Sequence, residues 1–209
     1  MVGQCCQIEP KNEGMSAGYK RALWAVIIIN GLMFFVETIA GSLIKSQALQ
    51  ADALDFLADT VTYALSLYVI GMSLRVRSSV ALMKGISLGL MGLWVFGSTL
   101  YHVFVVEMPE AQAMGAIGFL ALFANALSVV LLLKYRDGDA NVRSVWLCSR
   151  NDAIGNIAVI LAAGAVWATQ TSWPDLIVAA LMAGLFLWSA SQIIRQAVQE
   201  LQNDSVQCE

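Results

Sequence analysis

Charge is what this chain has least of: Asp, Glu, Lys and Arg make up 13% of its 209 residues, whereas 58% are hydrophobic. A soluble globule of this size could hardly stay in solution on that balance, so the lipid bilayer is the natural solvent. No block of basic residues long enough to track a phosphate backbone occurs, which excludes nucleic acid as a partner. A Gly-rich nucleotide loop is missing too, so ATP-driven transport by this chain alone is excluded and no enzymatic activity is expected. Cysteine is sparse, at positions 5, 6, 148 and 208. All but Cys148 lie in polar tails that the charge pattern places in the reducing cytoplasm, so free thiols are expected. The compact pattern of a cleaved signal is absent as well. A polar stretch with Glu9, Lys11, Glu13, Lys20 and Arg21 precedes the first apolar run, which reads as a retained helix.

What is present is a series of long apolar segments, at about 22–44, 48–74, 79–106, 111–133, 143–169 and 174–198. Crossing a bilayer takes about 20 mostly apolar residues, so each can span. The fold class expected is all-α: an integral membrane protein of six transmembrane helices, over 21–201, with a cytoplasmic tail at 1–20 and another at 202–209. Lys11, Lys20, Arg21, Arg75, Arg77, Lys134, Arg136, Arg143 and Arg195 fall on one side of this layout, and Lys45, Glu107, Glu110 and Asp175 on the other. The positive-inside rule then puts both termini in the cytoplasm of a plasma or inner membrane. In the third segment Gly85, Gly89 and Gly92 line one side, where a second backbone can approach closely, either from the same chain or from a second copy.

A carboxylate in the bilayer core costs about 2.5–3.5 kcal/mol on insertion scales, so each one needs a reason. The second segment holds three, in Gln50-Ala51-Asp52-Ala53-Leu54-Asp55-Phe56-Leu57-Ala58-Asp59. Asp55 and Asp59 are one helical turn apart, and Asp52 lies about 60° to the other side of Asp55, so the three share a face. Pointed inward, that face is a negative site that a cation or protons can neutralise; Asp52, nearer the outer end, could also be a hydrogen-bonded or interfacial carboxyl. The fifth segment repeats the spacing with Cys148 and Asp152. Two helices can therefore offer Asp55, Asp59, Cys148 and Asp152 to one ion. Zinc accepts four ligands of mixed oxygen and sulfur, whereas Ca²⁺ and Mg²⁺ want more oxygens and reject sulfur, so the set leans to Zn²⁺ or the softer Cd²⁺.

The run Ser46-Gln47-Ala48-Leu49-Gln50-Ala51-Asp52-Ala53-Leu54-Asp55-Phe56-Leu57-Ala58-Asp59, with Asn141-Val142-Arg143-Ser144-Val145-Trp146-Leu147-Cys148 and Asp152 much later, resembles the cation diffusion facilitator family. The likeness covers nearly the whole chain, from Asn30 and Glu37 to Trp173-Pro174-Asp175. Asp55, Asp59 and Asp152 fall on three of that family's membrane ligand positions, and Cys148 stands where a His is usual. The resemblance implies six helices, a homodimer, and export of a divalent transition metal in exchange for protons by alternating access. Zn²⁺ and Cd²⁺ are the expected cargo, with Fe²⁺, Co²⁺ and Mn²⁺ as further candidates, and no resident cofactor is expected. The family's usual cytoplasmic metal-binding domain has no counterpart in the short tail after the sixth segment.

Among the other polar positions, Asn30, Glu37 and Asn125 are candidates to line the cavity, with Glu37 and Asp52 as accessory ligands. Arg150 reads as snorkelling to the cytoplasmic interface and His102 as an interfacial residue rather than a ligand. Cys5-Cys6 could collect a thiophilic ion, or be incidental in a tail. Two other functions fit the same carboxylates: a proton-coupled exporter of small organic cations, and a membrane metal sensor that does not transport.

Overall fold

The computed structural model describes residues 16–68, 74–105, 108–135 and 140–206, the side chains at 66, 74, 75, 77, 140–148, 151, 200 and 203–206 excepted. Six long helices follow one another: α1 (Ala17–Ile44), α2 (Gln47–Tyr68), α3 (Leu74–Phe104), α4 (Ala111–Leu132), α5 (Ala140–Thr169) and α6 (Trp173–Val206). A short 3₁₀ turn, Leu133–Tyr135, extends α4. Among the described residues, five of these are long and apolar enough to cross a membrane. The exception is α2, whose three aspartates fall within 22 residues. The outer surface is greasy throughout: Leu43 and Phe104 are each 79% exposed, and Trp24, Phe35, Trp94, Phe123, Trp167 and Trp188 also face outward. In water such a surface would aggregate; in a bilayer it is the solvated face of a multi-pass protein.

The helix ends depart from the apolar segments because hydropathy stops at the membrane boundary and helical hydrogen bonding does not. The sixth segment, apolar to about 198, continues as helix to Val206 through Gln199, Glu200 and Gln202, all good helix formers. At the other end, Ser16 caps α1 by accepting a hydrogen bond from the Tyr19 amide at 3.1 Å.

Helices α1, α2, α4 and α5 pack into one bundle, while α3 and α6 pair with each other and flank it through α2 and α5. The glycines of α3 explain that pairing. A Cβ on Gly85 would sit 2.8 Å from Ile194 Cγ1 and 3.1 Å from Ile193 Cγ2, and one on Gly92 would sit 3.0 Å from Leu187 Cγ. The small-residue stripe is therefore used within the chain, against α6, and its alternative use against a second copy is not what the structure shows. Gly85→Leu is expected to cost about 1–3 kcal/mol by overpacking. The detergent-solubilised variant should melt several degrees lower, whereas Gly97→Leu, with nothing within 4 Å of its Cβ, should not.

The connection from α1 to α2 is only two residues long. Lys45 adopts φ 63° and returns its amide to the Gly41 carbonyl, closing α1 in the left-handed conformation usually left to glycine. Ser46 then caps α2, its Oγ accepting from the Leu49 amide at 3.1 Å and its carbonyl from the Gln50 amide at 3.3 Å. Asp175, from the first turn of α6, completes the cap. Its carboxylate accepts from Ser46 Oγ at 2.6 Å, the Gln47 amide at 2.7 Å and the Ala48 amide at 3.1 Å. All four first-turn amides of α2 are thus satisfied, and a negative group rests on the positive end of the helix. Asp175 is 1% exposed, so it is a buried structural group at this end of the bundle rather than a solvated loop charge. Next to it Ser98 Oγ donates to Gln47 Oε1 at 2.7 Å, tying in α3.

Candidate metal site

Along α2 the period of the aspartates decides what they meet. Ala48, Leu49 and Ala51 are fully buried among apolar neighbours, as is Phe56 nearly so, while Asp52, Asp55 and Asp59 fall on the face turned to α1 and α5. Asp152 of α5 lies against both Asp55 and Asp59, so three of the four predicted ligands come together from two helices. Cys148 is on α5 one turn before Asp152, and its side chain is outside the described residues. Among the described residues no three His, Cys, Asp or Glu side chains converge tightly enough to hold an ion as they stand.

Two apolar layers bound this level of the bundle. On the side of the termini, Tyr19, Leu23, Val26, Ile27, Tyr63 and Leu132 close α1, α2 and α4 together. On the far side, Ala48, Leu49, Met114, Val159, Ala162 and Ala163 do the same for α2, α4 and α5. The acidic groups sit between them in a low-dielectric slab, where each charge interacts more strongly with a cation than it would in water. A cavity of about 200 Å³ also opens among α1, α2 and α3, its mostly apolar lining of Phe34, Leu54, Trp94 and Val95 joined by Gln47 and Ser98, but none of the aspartates borders it.

Sequence reasoning missed Tyr63. Its ring belongs to the apolar layer on the terminal side and is fully buried, yet its hydroxyl donates to Asp59 Oδ2 and stands 3.5 Å from Ser149 Oγ of α5. The spacing held a signal, since 55, 59 and 63 continue one i, i+4 stripe, but a tyrosine there reads as apolar filling. A hydroxyl on a ligand carboxylate fixes which oxygen faces the ion, and loss of such support typically weakens a metal site 10- to 100-fold. Tyr63→Phe should therefore lower metal flux about tenfold or more while the melting temperature stays close to that of the parent. Equal flux per folded molecule would leave Tyr63 a packing residue only.

The remaining candidates divide. Asn30 is 1% exposed, and its Nδ2 donates to the Val26 carbonyl of its own helix at 2.8 Å. Asn125 is buried with Oδ1 lacking a partner. Glu37 and Asp52 are buried side by side across the α1–α2 contact. His102 is half-buried, with Nδ1 2.9 Å from the Ser98 carbonyl, and stands well away from the aspartates at the far end of α3. Arg150 is exposed. Cys5, Cys6 and Cys208 lie outside the described residues.

Known proteins are similar in sequence to this chain over most of its length. The metal cation efflux system protein CzcD of Cupriavidus metallidurans is 25% identical over 183 residues, covering 82% of this chain and 57% of that protein. Zinc transporter ZitB of Escherichia coli is 29% identical over 195 residues, 87% of this chain and 62% of its own length. The cadmium, cobalt and zinc/H(+)-K(+) antiporter of Bacillus subtilis is 24% identical over 204 residues, 91% of this chain and 65% of its own. The chain thus spans between 57% and 65% of the length of these relatives. The cation efflux transmembrane domain matches residues 23–202, which take in the greater part of all six helices together with Asp55, Asp59 and Asp152, and the chain belongs to the cation efflux, or cation diffusion facilitator, family.

Proposed function

We propose that this chain exports divalent transition metal ions, Zn²⁺ and Cd²⁺ foremost, in exchange for protons. The observation that carries this is the meeting of Asp152 with Asp55 and Asp59 between two apolar layers. Three carboxyl groups in such a place are intolerable unless a cation or protons share them, and that competition is the coupling an exchanger needs. Cys148, four positions before Asp152 on α5, would complete a four-ligand set of mixed oxygen and sulfur that suits Zn²⁺ and Cd²⁺. Metal binding from the cytoplasm displaces protons. Movement of α2 and α5 relative to their neighbours then opens the far layer, and protonation of the carboxylates releases the ion. The transporters named above, for zinc and for cadmium, cobalt and zinc, support the same cargo class. Assembly as a homodimer belongs to this reading, through a face other than the glycine stripe of α3.

The test is flux in proteoliposomes carrying the purified chain, with Zn²⁺ and Cd²⁺ followed against an imposed proton gradient. Metal movement that accelerates with the gradient and collapses with a protonophore is the expected result. Transport of organic cations without metal, or metal binding without flux, would overturn the proposal in favour of one of the two other classes.

A further inference from the structure

Farther along the same bundle lies a second set of donors that the aspartate trio does not use. Glu37 of α1 is fully buried, and neither of its carboxyl oxygens has a hydrogen-bond partner. Asp52 of α2, 1% exposed, adjoins it and leaves Oδ2 without a donor; the two carboxyl groups are close enough to interact with each other, and no N–H or O–H among the described residues reaches either Glu37 oxygen. Asn156 of α5 is fully buried, and both its amide nitrogen and its oxygen lack partners.

The position of Asn156 follows from its neighbours on α5. One turn earlier Asp152 meets Asp55 and Asp59, and one turn later Val159 packs on Ala48 and Leu49. Asn156 shares that face, so it is directed at α2 between those two levels, which is the level of Asp52. Buried polar groups in proteins are almost always paired, because an unpaired one keeps the full cost of its lost hydration. The oxygens of Glu37 and Asp52 and the Oδ1 of Asn156, from three helices at one height, are acceptors of the kind a cation satisfies.

We propose that Glu37, Asp52 and Asn156 form a second cation subsite, one helical turn from the aspartate trio toward the far end of the bundle, that receives a divalent metal ion leaving the trio. The proposal rests on the export reading for the identity of the ion. Its donors are all oxygens, from two carboxylates and one amide, so it is harder than the trio completed by Cys148. An ion such as Zn²⁺, which accepts both donor types, can pass from one to the other, whereas Cd²⁺ gains less from the second. Two shallow sites in series also let an ion leave more readily than one deep site does.

The experiment counts ions. The full chain in lipid nanodiscs is equilibrated with Zn²⁺ and bound metal is measured by dialysis, with folding followed by tryptophan fluorescence. Two Zn²⁺ per chain are expected, one lost in Glu37→Gln, the other in Asp152→Asn, and both in the double variant. Asn156→Leu serves as a second probe of the outer subsite should Glu37→Gln fail to fold, and it should weaken the same ion about tenfold or more. A single Zn²⁺ that disappears in Asp152→Asn and survives in folded Glu37→Gln and Asn156→Leu would overturn the subsite and leave the trio standing. A single Zn²⁺ lost in either aspartate or glutamate variant means one shared site and also overturns it. One ion that survives Asp152→Asn but is lost with Glu37 would keep the outer site and remove the trio.

Discussion

Asp59→Ala and Asp152→Ala are expected to reduce metal flux to the level of empty liposomes, a loss on the order of 100-fold or more, while the protein still inserts and folds. Each substitution removes a carboxylate on whose charge the proposed site depends. Asp59 also accepts the Tyr63 hydroxyl, so its removal disturbs the orientation of a second group. Stability is expected to move little or even rise, because the folded bundle loses a buried carboxyl that had to be accommodated. Flux and melting temperature together check the assignment: normal flux in either folded variant removes that residue from the site. The Asn variants separate charge from volume and should behave like the Ala variants if charge is what binds the ion.

The other large effect concerns metal choice and turns on Cys148. A thiolate favours soft ions, so the parent should carry Cd²⁺ and Zn²⁺ well and Mn²⁺ poorly. Cys148→Ser replaces it with a hard, weak ligand and should lose Cd²⁺ transport disproportionately, by tenfold or more relative to Zn²⁺. Cys148→His should restore Zn²⁺ better than Cd²⁺. Flux of the three metals at matched incorporation is the measurement. Equal relative losses across the metals in the Ser variant would make Cys148 a packed apolar residue and leave a site of three carboxylates completed by water.

Much of the bundle can be read from composition, because a bilayer permits few solutions: six apolar lengths give six helices, and intramembrane charges on an i, i+4 stripe have to face inward. The pairing of the α2 stripe with Asp152 was equally legible from its repeat on α5. What stayed hidden depended on side chains meeting across long stretches of chain. The contact of Ser46 with Asp175 spans 129 positions, and nothing local distinguishes Asp175 from any acidic residue at a helix start. The glycines of α3 announce a close approach without naming the partner, which proves to be α6. Tyr63 was hidden by its own chemistry, since its ring fills a core and its hydroxyl serves Asp59. Asn156 was overlooked because a lone asparagine in a membrane helix usually serves only to bond a neighbouring helix.

The capping of α2 by Asp175 has a consequence for how the protein is made. A chain emerges from the ribosome from its amino end and begins to fold in that order. Burdened by three aspartates, α2 is the helix least suited to settle in lipid alone, and its two-residue turn commits it to enter with α1 as a hairpin. Through the synthesis of α3, α4 and α5, the amides of Gln47 and Ala48 wait for acceptors that arrive only with residue 175. Until then those amides are left to interfacial water, so the first turn of α2 is held only provisionally in the half-made protein. Arrival of the last helix ends that interval, and a chain cut short before it would be recognisable to the cell as unfinished.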